Sequence, residues 1–145
     1  MKSGGAEDSK KYTAFLKGMI AQNGLGDRVF LKGTTRNMAD VLVNGALFVF
    51  PSEYEGFGLT LAEAMSMGLS AIGYKNCAAV NELILDGENG LLSNDGALSL
   101  AEKMRLLTVN KELRCRMGQA AKNSMNQYSA DNIWTAWEIF GGLYN

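Results

Sequence analysis

The sequence predicts an α/β fold in which helices flank a parallel β-sheet. Short apolar runs, which are typical of strands buried on both faces of a sheet, alternate with longer segments whose apolar residues recur at helical spacing. The chain has 145 residues, of which 47% are hydrophobic and 20% charged, and these values are typical of one globular domain. We therefore expect a single domain over residues 1–145.

The N-terminal part of the chain predicts a helix, a strand and a second helix. From Asp8 onward, apolar residues recur three and four positions apart, which indicates a helix that Gly24 can end. Residues 28–32 contain three consecutive apolar residues before Gly33, a pattern that predicts a short buried strand. Thr35 can then cap a helix that carries Met38, Val41 and Leu42. We therefore expect this part of the chain to contribute one strand to the sheet.

The middle of the chain predicts a strand that is followed by a helix. Residues 46–50 are continuously apolar and rich in β-forming residues, and Pro51 ends the run. This pattern predicts a central strand. Residues 60–67 have the pattern of a helix that Gly68 can end.

The second half of the chain predicts two further strands and several helices. Residues 71–74 predict a buried strand, residues 82–85 a helical turn, and residues 91–92 a strand at the edge of the sheet. Three stretches with helical spacing of apolar residues follow, at residues 97–107, 113–121 and 133–144. We expect Trp134 and Trp137 to pack in the last of these helices. The alternation predicts a Rossmann-like sheet whose ligands bind outside the carboxyl ends of the strands.

Charge and composition disfavour several classes of function. The 14 basic and 15 acidic residues are scattered and give a net charge of −1, so a nucleic-acid partner is not expected. The longest apolar run, residues 46–51, is far shorter than the roughly 20 residues of a transmembrane helix, and residues 1–11 do not resemble a signal peptide. The chain has no histidine, and Cys77 and Cys115 lack metal-binding spacing. We therefore expect a cytoplasmic protein with reduced thiols and no metal.

Residues 51–65, with the sequence PSEYEGFGLTLAEAM, combine a strand end, a glycine-flanked loop and the start of a helix. Gly56 and Gly58 allow the backbone to approach a ligand closely, and the free N–H groups of the helix attract an anion. Glu55 precedes the expected helix and Glu63 lies in its first turn, so both carboxylates can border the same anion. Ionised carboxylates accept hydrogen bonds from sugar or ribose hydroxyls. The motif therefore predicts a site for an anionic, hydroxyl-rich ligand.

The motif residues also have interpretations that require no ligand. Thr60 and Glu63 match a capping box, in which the glutamate returns a hydrogen bond to the first residue of the helix. Glu55 alone would be a solvated carboxylate in a loop. The combination of both glutamates with the glycines favours ligand binding, and a capping role and a ribose-binding role of Glu63 do not exclude each other. Lys75, which follows a strand end, is a weaker candidate for a phosphate contact.

The motif resembles that of the retaining glycosyltransferases of family 4. Glu55 and Glu63 are separated by seven residues within PSxxEGFGLxxxEAM, which is followed by Gly68 and by VNELI. The resemblance is strongest over residues 46–92, about a third of the chain. It implies the donor-binding domain of a GT-B enzyme that transfers a sugar from a UDP- or GDP-sugar, with retention and without a metal, to a saccharide or lipid acceptor. The implied pathway is polysaccharide or lipopolysaccharide biosynthesis.

The resemblance also assigns roles to residues of this chain. By analogy, Glu55 contacts the donor sugar near the reacting carbon, and Glu63 binds the ribose hydroxyls. Gly33 and Thr34 would border the nucleobase. The diphosphate or sugar would be bound by the backbone N–H groups of Gly56, Phe57, Gly58, Leu59 and Thr60. No protein nucleophile is implied.

The resemblance is incomplete at the N-terminal side. Donor domains of the family begin with two strands that are absent here, the first of which is followed by a diphosphate-binding arginine and lysine. We therefore expect a chain that is truncated, that lacks the acceptor-binding domain and is inactive alone, and whose complete enzyme is peripheral to the inner membrane face. The missing strands would leave a gap of roughly 14 Å between residues 28–32 and 46–50. Reordered strands, a second chain, or a homo-oligomer formed through exposed sheet edges would have to close it.

Three other functions fit parts of the pattern. A non-catalytic module that binds a nucleotide-sugar or a partner is the main alternative, because the diphosphate-binding cations are missing. A glycoside hydrolase would need Glu55 and Glu63 about 5 to 9.5 Å apart across a sugar. A sugar-nucleotide epimerase of GT-B type is disfavoured by the motif spacing.

Overall fold

The computed structural model describes residues 6–142, which form an α/β structure. The chain divides into two compact units, Met1–Arg36 and Asn37–Asn145. The units contain seven α-helices, a 3₁₀ turn and three strands within the described residues. None of these helices is both long and apolar enough to cross a membrane.

The first unit contains helix α1 (Ala6–Gln22), which confirms the predicted N-terminal helix. Gly24 has a φ of +63° and ends the helix as predicted. Its N–H donates to the carbonyl of Ala21 at 3.1 Å, and the N–H of Leu25 donates to that of Ile20 at 2.9 Å. This pair of bonds is a Schellman motif, in which the last carbonyls of the helix are satisfied by the residues that follow it.

The predicted strand over residues 28–32 is wrong. These residues form no strand, and Val29, Phe30 and Leu31 are exposed to solvent by 41%, 62% and 43%. They line a cleft of about 470 Å³ together with residues of α1. The apolar run suits a strand, but a strand also needs a partner strand, and the one sheet of the described residues lies in the second unit. The expected gap between this strand and residues 46–50 therefore has no counterpart within the described sheet.

The second unit contains the sheet and six helices. Its strands are β1 (Leu47–Phe50), β2 (Ser70–Tyr74) and β3 (Gly90–Ser93). Its helices are α2 (Met38–Leu42), α3 (Leu59–Ser66), α4 (Ala78–Leu83), α5 (Ala97–Val109), α6 (Lys111–Ser124) and α7 (Ala130–Gly142), with a 3₁₀ turn at Met125–Tyr128. Each of these strands and α-helices overlaps a predicted one with different bounds, whereas the 3₁₀ turn was not predicted.

The three strands form a parallel sheet in the order β1-β2-β3. Phe50 pairs with Gly73, and Tyr74 pairs with Ser93, so all three strands end at the same edge of the sheet. The predicted edge position of β3 is confirmed. The predicted central position of residues 46–50 is wrong, because the central strand of the described residues is β2 and each residue of β1 stays half-buried.

The core lies on both faces of the sheet. Alternate residues of β2 point to opposite faces, so Ala71 packs in one cluster and Ile72 in the other. The first cluster includes buried residues of α3 and α4, namely Leu61, Met65, Val80 and Leu83. The second includes Leu107 of α5 and Met117 of α6. Helices thus cover both faces of β2, as in other parallel sheets.

The expectation that the two tryptophans pack in the final helix is wrong for the described residues. Trp134 and Trp137 are 68% and 65% exposed, and α7 has no buried residue. The indole ring of Trp137 lies edge-on to Phe140, with 6.1 Å between ring centroids. The helical spacing of the apolar residues is confirmed, but no other element of the described residues covers this face.

Candidate functional site

The candidate site lies at the carboxyl ends of the three parallel strands. Residues 51–58 follow β1, residues 75–77 follow β2, and residues 94–96 follow β3. Because the strands are parallel and in register, these three segments meet at one edge of the sheet. This is the edge at which ligands of open α/β sheets bind.

Gly58 fixes where α3 begins. It has a φ of +80°, a left-handed conformation that glycine adopts without steric cost, and it is the residue that precedes the helix. The first helical hydrogen bond of α3 runs from the N–H of Ala62 to the carbonyl of Gly58, at 3.0 Å. The N–H groups of residues 58–61 precede that bond, and no side chain caps them. No partner for these four N–H groups is found among the described residues, and unpartnered donors at the start of a helix can bind an anion.

The predicted capping box is wrong. Helix α3 begins at Leu59, so Thr60 is its second residue and Glu63 its fifth, and Thr60 makes no capping bond. The expected position of Glu63 in the first turn is therefore also wrong, since the first turn contains no acidic residue. The left-handed glycine starts the helix two residues before the position that the capping pattern indicates.

Glu63 is nonetheless directed toward the start of the helix. Side chains of a helix tilt toward its N-terminus, and residues four apart lie on the same face, so Glu63 lies on the face of Leu59. Both residues are exposed. Within residues 6–142, the carboxylate of Glu63 has no hydrogen-bond or ion-pair partner. It is therefore available to accept hydrogen bonds from a ligand.

Glu55 is held within the loop that precedes α3. Its side chain is half-buried, and its Oε1 accepts a hydrogen bond from the hydroxyl of Ser52 at 2.9 Å. The loop is anchored at its other end by Phe57, whose ring packs edge-on against Tyr128 with 5.4 Å between centroids. Neither contact was predicted from the sequence. The three-residue spacing of Ser52 and Glu55 could have indicated the first, whereas nothing in the sequence indicated the second.

The segment after β2 presents a cation at the same edge of the sheet. The N–H of Lys75 donates to the carbonyl of Ser93 at 2.9 Å, and the side chain of Asn81 donates to the carbonyl of Lys75 at 2.5 Å. The side chain of Asn76 donates to Asp95 of the neighbouring segment, also at 2.5 Å. These bonds fix the backbone on which the exposed Lys75 is carried. Lys75 is the one basic residue in the three segments.

The structure brings together most of the predicted site residues. Residues 55–60 and Glu63 lie around the start of α3 in the second unit. Gly33 and Thr34 lie in the first unit, in an exposed segment without regular structure, and their role remains a prediction. Cys77 is buried, as expected for a small apolar side chain. Among the described residues, no group of three or more Cys, Asp or Glu side chains could hold a metal ion.

Comparison with protein families identifies relatives of the chain. The model of the family described as glycosyl transferases group 1 matches residues 4–124, which include both the first helix and the whole motif. The match therefore covers more than half of the chain.

Two curated proteins are similar to this chain over most of its length. The exopolysaccharide phosphotransferase SCO2592 of Streptomyces coelicolor is 34% identical over 85% of this chain and 13% of its own length. The poly(ribitol-phosphate) α-N-acetylglucosaminyltransferase of Staphylococcus aureus is 32% identical over 82% of this chain and 24% of its own length. This chain thus spans a quarter or less of these two curated relatives.

A solved glycosyltransferase structure is also similar to this chain. A single-residue mutant of TarM from Staphylococcus aureus, in complex with fondaparinux, α-GlcNAc-glycerol and UDP, superimposes with a TM-score of 0.78 and 30% identity. The similarity covers 86% of this chain and 26% of TarM. The fold is that of GT-B glycosyltransferases, and the chain belongs to the family of glycosyl transferases group 1.

Proposed function

We propose that this chain binds the nucleotide-sugar donor of a retaining glycosyltransferase of family 4. The observation that carries the proposal is the uncapped start of α3, which is preceded by Glu55 and bears Glu63 on its exposed face. This arrangement offers backbone donors to a diphosphate and carboxylates to the hydroxyl groups on either side of it. TarM, which is similar to this chain, was solved with bound UDP.

The diphosphate would bind at the N–H groups of residues 56–60. The helix dipole and the free donors both favour an anion there, and each dipole interaction contributes about 0.3–1 kcal/mol when exposed. Gly56 has no side chain and open space around it, so the phosphates can approach its backbone closely. Lys75 at the same sheet edge adds a positive charge within the second unit.

The two carboxylates would bind hydroxyl groups on either side of the diphosphate. Glu55 would contact the donor sugar near the reacting carbon, and Glu63 the ribose. Glu63 is four residues beyond Leu59, about 6 Å along the helix, and its side chain tilts back toward the bound phosphates. The start of α3 lies between the two glutamates in the chain, which favours this role over the acid and base pair of a glycoside hydrolase.

The remaining features of the proposal rest on the resemblance to family 4. Gly33 and Thr34 would border the nucleobase of a UDP- or GDP-sugar. The acceptor would attack from the face that the diphosphate leaves, and the departing diphosphate would take its proton, so that the configuration is retained without a metal. The acceptor, a saccharide or a lipid, would be bound by a part of the enzyme outside this chain. This chain alone would bind the donor without transferring the sugar.

The cellular setting belongs to the same proposal. The enzyme would act in polysaccharide or lipopolysaccharide biosynthesis, in the cytoplasm and at the inner face of the membrane. Each of β1 and β3 has one side without a partner strand among the described residues, so copies of the chain could associate through these edges. A homo-oligomer formed in this way would depend on protein concentration.

Calorimetric titration with UDP, GDP and ADP tests the donor site. We expect one nucleotide to bind, and Glu63→Ala to weaken its binding about tenfold by removing a charge-assisted acceptor of the ribose hydroxyls. Glu53→Ala is the matched control, because Glu53 is an exposed carboxylate of the same loop that precedes the helix. An equal loss of affinity in both variants, or no binding by the folded chain, would contradict the proposal. Binding without sugar transfer by a completed enzyme would indicate the non-catalytic alternative.

A further inference from the structure

The hydroxyl of Ser52 has two acceptors within reach. Oε1 of Glu55 lies at 2.9 Å and the carbonyl oxygen of Tyr54 at 3.2 Å. A hydroxyl has a single proton and donates it to one of them at a time. The carboxylate oxygen is the nearer acceptor, and hydrogen bonds to an ionised acceptor are roughly twice as strong as neutral ones. Ser52 therefore donates to Glu55.

Ser52 is itself held in place by the sheet. It is two residues beyond Phe50, the last residue of β1, which pairs with Gly73 of the central strand. Pro51 stands between them, and its ring restricts the backbone to a φ near −65°. Ser52 thus lies directly beyond the strand and its proline, whereas Glu55 lies further along the loop. At the far end of this loop, Phe57 is anchored on Tyr128.

We propose that Ser52 is a positioning residue that holds the Glu55 carboxylate toward the donor sugar. The inference rests on the proposed function of Glu55. Among residues 6–142, Ser52 is the one side chain that bonds this carboxylate, and the bond occupies Oε1. Oε2 is left for a sugar hydroxyl. A glutamate side chain loses rotamer freedom when it binds a ligand, and a bond that already restricts it reduces this cost.

A positioning role and a merely structural role of Ser52 have different consequences. If Ser52 acts through Glu55, its loss affects the sugar of the donor but not the UDP part, which is bound by the start of α3 and by Glu63. If Ser52 only stabilises the loop, its loss affects UDP and UDP-sugars equally. The ratio of the dissociation constants for UDP and for a UDP-sugar therefore separates the two roles.

The test is calorimetric titration of the whole chain and three variants with UDP, UDP-glucose and UDP-N-acetylglucosamine. We expect Ser52→Ala to weaken binding of the preferred UDP-sugar about threefold to tenfold, because a free Glu55 side chain must then be ordered on binding. The affinity for UDP should stay within about twofold. Ser52→Thr retains the hydroxyl and should retain the ratio. Ser66→Ala is the matched control, because its hydroxyl bonds only the helix backbone, at the carbonyl of Glu63.

The outcomes separate this inference from the proposed function. If Ser52→Ala leaves the ratio of the dissociation constants for UDP and the UDP-sugar unchanged, the positioning role is overturned while the donor site stands. This holds whether both affinities stay the same or both fall equally. Failure of Ser52→Thr to restore the ratio also overturns it, because the hydroxyl would then not be the group that acts. If the unsubstituted chain binds none of the three ligands, GDP and GDP-sugars take their place in the same comparison. If it binds neither set, the proposed function fails and the positioning role fails with it.

Discussion

The start of α3 depends on Gly58, and substituting this residue tests the geometry of the site. In Gly58→Ala, the new Cβ would lie 3.6–3.7 Å from its nearest neighbours on Leu83, Leu61 and Phe50, which is ordinary van der Waals contact. Steric overlap of the new Cβ therefore adds nothing to the free-energy cost of the substitution. The left-handed φ of +80° remains unfavourable for alanine and costs about 1–2 kcal/mol.

Gly56→Ala is the matched control for this substitution. Gly56 belongs to the same loop, its φ is not in the left-handed region, and a Cβ added there would meet no atom within 4 Å. Alanine at a compatible glycine stabilises a protein by about 0.4–1 kcal/mol through the unfolded state. The two substitutions are therefore expected to change the free energy of unfolding in opposite directions.

Urea denaturation followed by circular dichroism measures the difference. With an m value of about 2 kcal/mol per M, Gly58→Ala should lower the midpoint by roughly 0.5–1 M. Gly56→Ala should leave it unchanged or raise it slightly. If both variants unfold at the same urea concentration, residue 58 does not adopt a left-handed conformation, and the argument for four free donors at the start of α3 fails.

Two further substitutions test the packing that supports the site. In Gly118→Ala, a Cβ would overlap the backbone of the turn before β2, so we expect a loss of about 1–3 kcal/mol by thermal or urea unfolding. Gly18→Ala lies in open space within α1 and should instead raise the free energy of unfolding by about 0.5–1 kcal/mol. If Gly18→Ala and Gly118→Ala change the free energy of unfolding equally, the packing argument is refuted. Asn89→Ala removes three hydrogen bonds of a buried amide and should cost about 2–4 kcal/mol. Asn123 is exposed, and Asn123→Ala is the control, which should lower the free energy of unfolding by less than about 0.5 kcal/mol. A loss as small in Asn89→Ala would contradict the assignment of the hydrogen bonds of Asn89.

The fold class could be predicted because most of its signals are local. A run of apolar residues predicted β2, and helical spacing with a closing glycine predicted α1 and its end at Gly24. The pairing of strands is not local. For that reason the predicted strand at residues 28–32 and the predicted central position of β1 were both wrong. A pattern of apolar residues shows that a segment is suited to burial but does not show what covers it. For the same reason, the apolar spacing of α7 predicted a helix but did not show that its apolar face would be exposed.

The candidate site was predicted from residue types, and its geometry was not. The glycines and glutamates of residues 51–65 indicated a ligand, but the backbone conformation of Gly58 decided where the helix begins and displaced Glu63 from the first turn. A positive φ cannot be read from a glycine in a sequence, because glycine adopts both signs of φ. The bond between Ser52 and Glu55 was likewise not predicted, because it depends on the conformation of the loop that contains both residues.

The central claim is that a diphosphate binds at the start of α3, and amide chemical shifts of the ¹⁵N-labelled chain test it most directly. UDP and uridine share the nucleoside and differ in the diphosphate, so their comparison isolates the phosphate contact. We predict that the amide signals of residues 56–60 shift on addition of UDP and stay in place with uridine. If UDP binds while these signals do not move, and the shifts are confined to residues 26–32 of the first unit, the diphosphate site is elsewhere and the account is contradicted.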